Sequence, residues 1–151
     1  CSLVGSEMCI ETEDNVSDNI FISADVSHIR QLVVILPDNA CKYAGTADSG
    51  EKSGNPVKKV TVTLTSENEK IRLTVHNTGK AIPKEDLPHL FERFYRTDKS
   101  RARTDGGYGL GLDIAQTIAK NHHGKITVVS AENSGTSFTV TLPVSKEKES
   151  A

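Results

Sequence analysis

Long apolar runs are missing from this chain. No stretch of its 151 residues approaches the ~20 that a membrane-spanning helix needs, and no signal peptide is visible. Cysteine is scarce and scattered: Cys1, Cys9 and Cys41 are odd in number, widely spaced and without a C-x-x-C, which argues against a disulfide framework and rules out a zinc site built from them. A reduced, cytoplasmic compartment fits that usage. No charge of one sign dominates, since 18 Lys plus Arg face 20 Asp plus Glu. A nucleic-acid binder that relies on a broad basic face is thereby disfavoured. Two familiar phosphate loops are absent as well. The glycines at 107, 109 and 111 bring the third one residue too early for the dinucleotide fingerprint. Neither Gly79-Lys80 nor Gly124-Lys125 has the upstream glycine or the following Ser/Thr of a Walker loop. The chain opens on Cys1 rather than methionine, and the expectation is a domain of a longer protein that carries its own membrane or targeting segments.

What is present centres on Gly106-Gly107-Tyr108-Gly109-Leu110-Gly111-Leu112, a glycine-rich loop running straight into a helix whose Leu110, Ile114 and Ile118 recur at four-residue spacing. Alternating glycines let the backbone approach a ligand without a Cβ in the way. The helix behind them offers its unpaired N–H groups and the positive end of its dipole. A polyphosphate suits that place. The plainer alternative is a flexible loop leading into an ordinary core helix.

Taken in order, 7–11 and 19–23 read as two lead-in strands joined by the acidic turn Glu13-Asp14-Asn15. Asp25 offers an N-cap, and Val26, Ile29, Val33, Leu36, Ala40 and Tyr43 make the stripe of a five-turn helix interrupted by Pro37. Its C-terminal end groups Asn39, Lys42 and Tyr43 on one patch. Residues 44–57 are a glycine- and serine-rich loop. Val60, Val62 and Leu64, then Ile71, Leu73 and Val75, alternate with polar residues, which predicts an antiparallel hairpin looping through 66–70. Short helical turns broken by Pro88 follow, then an exposed cationic loop over 95–107. The glycine-led helix ends at Gly124 as a C-cap, and strands at 125–130 and 137–142 close the fold. The pattern is α+β: a two-layer sandwich of a mixed, mostly antiparallel sheet with helices on one face, as a single domain over 1–143 with a frayed tail at 144–151.

Separated stretches of the chain line up with one family. Asp38-Asn39-Ala40-Cys41-Lys42-Tyr43 resembles the N box of the histidine-kinase ATP-binding domain, whose fold is shared with gyrase, heat-shock chaperone and mismatch-repair ATPases. Asn77-Thr78-Gly79-Lys80-Ala81-Ile82 looks like its first glycine box, and Phe91-Glu92-Arg93-Phe94-Tyr95-Arg96 like its phenylalanine box. Gly107-Tyr108-Gly109-Leu110-Gly111-Leu112 is similar to the second glycine box, and Gly135-Thr136-Ser137-Phe138 to the third. Order and spacing are those of the family.

The resemblance implies a Bergerat-type ATP-binding fold that holds ATP and Mg²⁺. Asn39 would be the metal ligand, a neutral oxygen suited to a hard cation. Lys42 would neutralise phosphate and Tyr43 would line the nucleotide's edge. Asn77 stands where the family has an aspartate that accepts from the adenine amino group; its amide oxygen still accepts, without the help of charge. Gly79, Ala81 and Ile82 would border the base, Ala81 replacing a glycine, and Thr136 would supply a hydroxyl to adenine. Phe91 and Phe94 would anchor an ATP lid over 95–107, and Arg96 would reach the γ-phosphate. Gly107, Tyr108, Gly109, Leu110, Gly111 and Leu112 would cradle the phosphates.

Asn39, Lys42 and Arg96 are thus the expected catalytic set of a protein-histidine kinase. The implied partners are the parent's own dimerisation domain, which carries the acceptor histidine, and a response regulator. None of His28, His76, His89, His122 and His123 has the acceptor's sequence context, so the domain is not expected to phosphorylate itself. The resemblance also implies a monomeric domain of a homodimeric parent anchored in the bacterial plasma membrane. Relatives that hydrolyse ATP have a glutamate four residues before the N-box asparagine; here Ile35 cannot take a proton. The alternative is a degenerate nucleotide-binding or non-catalytic docking module, motivated by Asn77, Ala81, Ile35 and Pro37.

Overall fold

A computed structural model describes residues 2–4, 8–15, 20–43, 58–79, 81–92, 111–132 and 134–145. Its strands are β1 (Ser2–Val4), β2 (Met8–Asn15), β3 (Lys58–Glu67), β4 (Lys70–Asn77), β5 (Lys125–Ala131) and β6 (Gly135–Pro143). Its long helices are α1 (Val26–Tyr43) and α2 (Gly111–Asn121). The six strands form one sheet in the order β1-β2-β3-β4-β6-β5, in which β2 and β3 pair parallel and the other neighbours antiparallel. Both helices pack on the same face of it, α1 against β3 and β4, α2 against β5 and β6, and against each other. The α+β two-layer sandwich expected from the alternating patterns is the architecture found.

Period-two alternation explains the two faces. Val60 and Val75 are fully buried, and Phe138, Val140 and Leu142 of β6 join Leu32, Leu36 and Ala40 of α1 and Ala115, Ile118 and Ala119 of α2 in one core. The residues between them are mostly threonines. Thr74 Oγ1 lies 3.1 Å from Thr139 Oγ1 across the β4–β6 pair, and His76 Nδ1 lies 2.8 Å from Ser137 Oγ one row along. Burial pushes His76 below its usual pKa, and Lys59 adds to that.

Several boundaries differ from the sequence expectation. Residues Glu13, Asp14 and Asn15 form the end of β2 rather than a turn: Glu13 registers with Thr63 and is exposed, so its carboxylate stays in water. The strand expected over 19–23 is reduced to one bridge, in which Ser145 N–H donates to Phe21 O at 2.7 Å. The hairpin needs only two turn residues, because Asn68 and Glu69 take φ of 53° and 61°, the left-handed pair of a primed turn that matches strand twist.

On α1 the buried stripe is Leu32, Leu36 and Ala40, with Ile29 and Ile35 beside it, whereas Val26 and Val33 are exposed. The helix carries Pro37 within its span. Pro88 sits inside a 3-10 turn, Leu87–His89, rather than breaking it, since proline suits the first positions of a helical turn.

Helix α2 closes with His123 at φ 61° in the left-handed position expected of a glycine. Gly124 N–H donates to Ala119 O at 2.8 Å and His123 N–H to Lys120 O at 3.1 Å, the paired bonds of a Schellman cap. Val144 N–H donates to Glu69 O at 2.9 Å, so the chain is held by the β3–β4 turn through the first residue after β6. The 44–57 loop and residues 146–151 lie outside the described residues.

Candidate nucleotide-binding site

The C-terminal end of β4 carries the polar end of an otherwise apolar sheet face. Register places Val60 opposite Asn77, Asn77 opposite Thr136 and Thr136 opposite Ser130, one row across β3, β4, β6 and β5. Directly opposed residues share a face, so Asn77, Thr136 and Ser130 turn to the helix side with Val75 and Phe138. Asn77 is 2% exposed and Thr136 3%. Buried polar groups persist only when hydrogen-bonded. Asn77 Nδ2 donates to Thr78 O at 3.1 Å, which fixes the amide and leaves Oδ1 as its acceptor. Thr136 Oγ1 lies 2.7 Å from Ser130 Oγ, and Ser130 Oγ accepts from Ile82 N–H at 2.8 Å. Ile82 is thereby pinned beside the row, with Ala81 and Gly79 leading to it; Gly79 has φ 136°.

Gly135 makes this row possible. Its φ is 84°, and a Cβ there would stand 2.1 Å from the Asn77 carbonyl oxygen. Only glycine lets β6 begin so close to the end of β4.

The second half of the site lies between the helices. A Cβ on Gly111 would meet Ile35 Cγ2 at 3.3 Å, so α2 begins directly against α1. Ile35 and Asn39 stand one turn apart on the same helix face. The first-turn N–H groups of α2 therefore open beside the turn that bears Asn39. Leu112 is 8% exposed and sends its side chain to the core, so only its backbone N–H remains for a ligand.

Asn39 is half-buried, and its Nδ2 is buried with no hydrogen-bond partner among the described residues. A buried amide left unpaired is the mark of a group that awaits something. Turned over, the same amide presents Oδ1, the donor type a hard cation takes. Among the described residues no cluster of His, Cys, Asp and Glu could hold a metal by itself. An ion here would thus rest on Asn39 and on oxygens of its ligand. Cys41, two residues on, offers no competing chemistry: burial raises its thiol pKa and the Asp38 carboxylate adds to the push, which keeps it protonated.

Of the expected site residues, Asn77, Gly79, Ala81, Ile82 and Thr136 are brought together at one end of the sheet, and Asn39, Gly111 and Leu112 at the helix junction. Lys42 and Tyr43 occupy the last turn of α1. Phe94, Arg96, the lid over 95–107, and Gly107, Tyr108, Gly109 and Leu110 lie outside the described residues. Phe91, from the phenylalanine box, packs edge-on against Phe138 with ring centroids 6.3 Å apart. Ser130 was missed by sequence reasoning. Alternation put it in a strand, and only the register aims it at Thr136.

This geometry has counterparts. Residues 24–146 match the model of the family described as histidine kinase-, DNA gyrase B-, and HSP90-like ATPase. The chain belongs to that family. It is 37% identical over 142 residues to the sensor histidine kinase YkoH of Bacillus subtilis, a match covering 92% of this chain and 27% of YkoH. The mycobacterial sensor histidine kinase MprB superposes with a TM-score of 0.70 at 28% identity, covering 89% of this chain and 84% of that one. The catalytic domain of the histidine kinase ThkA gives a TM-score of 0.67 at 26% identity, with 89% and 78% covered. The chain spans about a quarter of the length of the curated relatives it matches. Among the described residues no helix is long and apolar enough to cross a membrane.

Proposed function

We propose that this chain is the ATP-binding catalytic domain of a sensor histidine kinase. It holds ATP with Mg²⁺ and presents the γ-phosphate to a histidine on a separate dimerisation domain of the same parent, for relay to an aspartate of a response regulator. The observation that carries this reading is the buried pair Asn77 and Thr136, directly opposed in register at the end of an apolar face, one acceptor beside one hydroxyl. Adenine presents an amino donor beside a ring-nitrogen acceptor, which such a pair suits.

Phosphoryl transfer depends on positioning and on electrostatic stabilisation. Asn77 and Thr136 hold the base, and the first turn of α2 meets the phosphates with N–H groups and the positive dipole end. Asn39 would hold the metal, which draws charge from the phosphate oxygens when bound. Lys42 and Arg96 are assigned to phosphate charge, Arg96 to the γ-phosphate, with Tyr43 at the nucleotide's edge and Phe94 at the base of the lid. The acceptor's ring nitrogen forms the new bond to phosphorus as the bond to the β,γ-bridging oxygen breaks and ADP departs. Ile35 packs against Gly111 and against the core, so the position that would hold a general base for water is filled by hydrocarbon. That favours transfer over hydrolysis.

The parent is placed in a bacterial plasma membrane as a homodimer, with this domain, monomeric by itself, on the cytoplasmic side where ATP is available. Calorimetric titration with ATP and Mg²⁺ tests the reading. Micromolar binding that Asn39→Ala abolishes, and that chelation of Mg²⁺ weakens, is the expected result. No binding at millimolar ATP would leave a docking module instead.

A further inference from the structure

Thr136 does not act alone at the base end of the pocket. Its Oγ1 lies 2.7 Å from Ser130 Oγ, which itself accepts from Ile82 N–H at 2.8 Å. A serine hydroxyl has one proton and two lone pairs. One lone pair of Ser130 is taken by Ile82, and a hydroxyl that already accepts a bond becomes the better donor. Polarisation by Ile82 therefore favours Ser130 as the donor of the pair, running Ile82 N–H to Ser130 to Thr136, although its second lone pair could accept. In that sense Thr136 keeps its own proton to give to a ligand. Opposite it in register, Asn77 has its Nδ2 engaged with Thr78 O, which leaves Oδ1 as its acceptor. An acceptor beside a donor is complementary to a purine with a 6-amino group and an unprotonated N1. It is mismatched to a 6-oxo purine, whose O6 accepts and whose N1–H donates.

We infer that Ser130 is a specificity-determining positioning residue: the Ile82–Ser130–Thr136 chain fixes the Thr136 hydroxyl as a donor, and so selects ATP over 6-oxo purine nucleotides. The inference rests on the base subsite assigned under Proposed function. Without Ser130, the Thr136 hydroxyl is free to rotate and can accept from N1–H as readily as it donates to N1.

The test is calorimetry of the chain with ATP and with inosine triphosphate, each with Mg²⁺. Wild type should prefer ATP, and Ser130→Ala should shrink that preference about tenfold, the worth of one mispaired buried hydrogen bond. Ser130→Thr, which keeps the hydroxyl, should retain it. If Ser130→Ala does not fold, Ser130→Cys fills the space with a group that bonds feebly, and the same narrowing is expected. A purely structural role would lower both affinities together. An unchanged ATP-to-inosine triphosphate ratio in the Ala or Cys variant, or a wild type indifferent between the two, overturns the inference while the ATP site stands. A wild type that binds neither nucleotide removes the base subsite itself, and this inference with it.

Discussion

Asp25 N–H donates to His122 Nε2 at 3.1 Å, tying the start of α1 to the end of α2 across the chain. His122 Nδ1 stands 2.7 Å from Ile118 O, so that nitrogen carries the ring's proton and Nε2 is the acceptor. The clamp lies at the far end of the helix pair from Asn39 and Gly111. His122→Phe keeps the ring and removes both bonds, and is expected to lower stability by about 2 kcal/mol in urea unfolding while leaving ATP affinity unchanged.

The Asp25 carboxylate caps α1 by accepting from Ser27 N–H at 2.8 Å and His28 N–H at 3.2 Å. The His28 amide, foremost, together with the His28 charge and the Ser27 amide, holds its pKa below the ordinary 3.8. A carboxylate with a depressed folded-state pKa stabilises the fold above its unfolded value, and that contribution is lost as pH falls through the folded one. Asp25→Asn, which still caps, should therefore leave the melting temperature near neutral pH almost unchanged. It should flatten the decline of melting temperature below 3.8. A series of thermal melts between about pH 6 and pH 2 measures it.

Neighbouring residues on α1 should differ sharply. Leu32 is 2% exposed and Val33 47%. Leu32→Ala is expected to cost about 3 kcal/mol through the cavity it leaves. Val33→Ala should stay within about 0.5 kcal/mol of wild type. Equal effects in denaturant titration would contradict the orientation of α1.

Gly135→Ala must both adopt φ 84° and displace the Asn77 carbonyl, which a Cβ would approach to 2.1 Å. The expected loss is about 3 kcal/mol or more. Where the variant remains folded, calorimetry should also find weakened ATP binding, since Asn77 cannot stay in place.

Asn77→Asp should separate stability from affinity. The amide's Nδ2 now donates to Thr78 O, and a buried carboxylate there would face that oxygen with no donor of its own. The unliganded domain should lose about 2 kcal/mol of stability. ATP, whose amino group would gain a charge-assisted acceptor, should bind about tenfold more tightly. A melting temperature that is lower without ATP and rises further on adding it would carry both effects.

The strands that build the site were legible because Val60 to Leu64, Ile71 to Val75 and Phe138 to Leu142 alternate strictly, and β5 departs from that pattern only at the exposed Val129. Asp25 could be read as a cap because its chemistry is local. The stripe on α1 was misjudged at Val26 and Val33, where apolar residues surround the helix and periodicity does not select one face. The extent of β2 was hidden because Glu13 lies on a face open to water, where charge does not argue against a strand. The Ile82–Ser130 bond and the Asp25–His122 clamp join residues 48 and 97 positions apart, and no short window along the chain contains either pair.

Apart from the row of Asn77, Thr136 and Ser130, the sheet turns hydrocarbon to the helices and hydroxyls away from them, so sliding any central strand by one position would bury a file of threonines and strand the valines in water. The pocket inherits its alignment from that rule. The step that seats Val75 and Phe138 in the interior also delivers Asn77 and Thr136 to one spot. Mispairing there would therefore ruin assembly and ligand recognition in a single stroke.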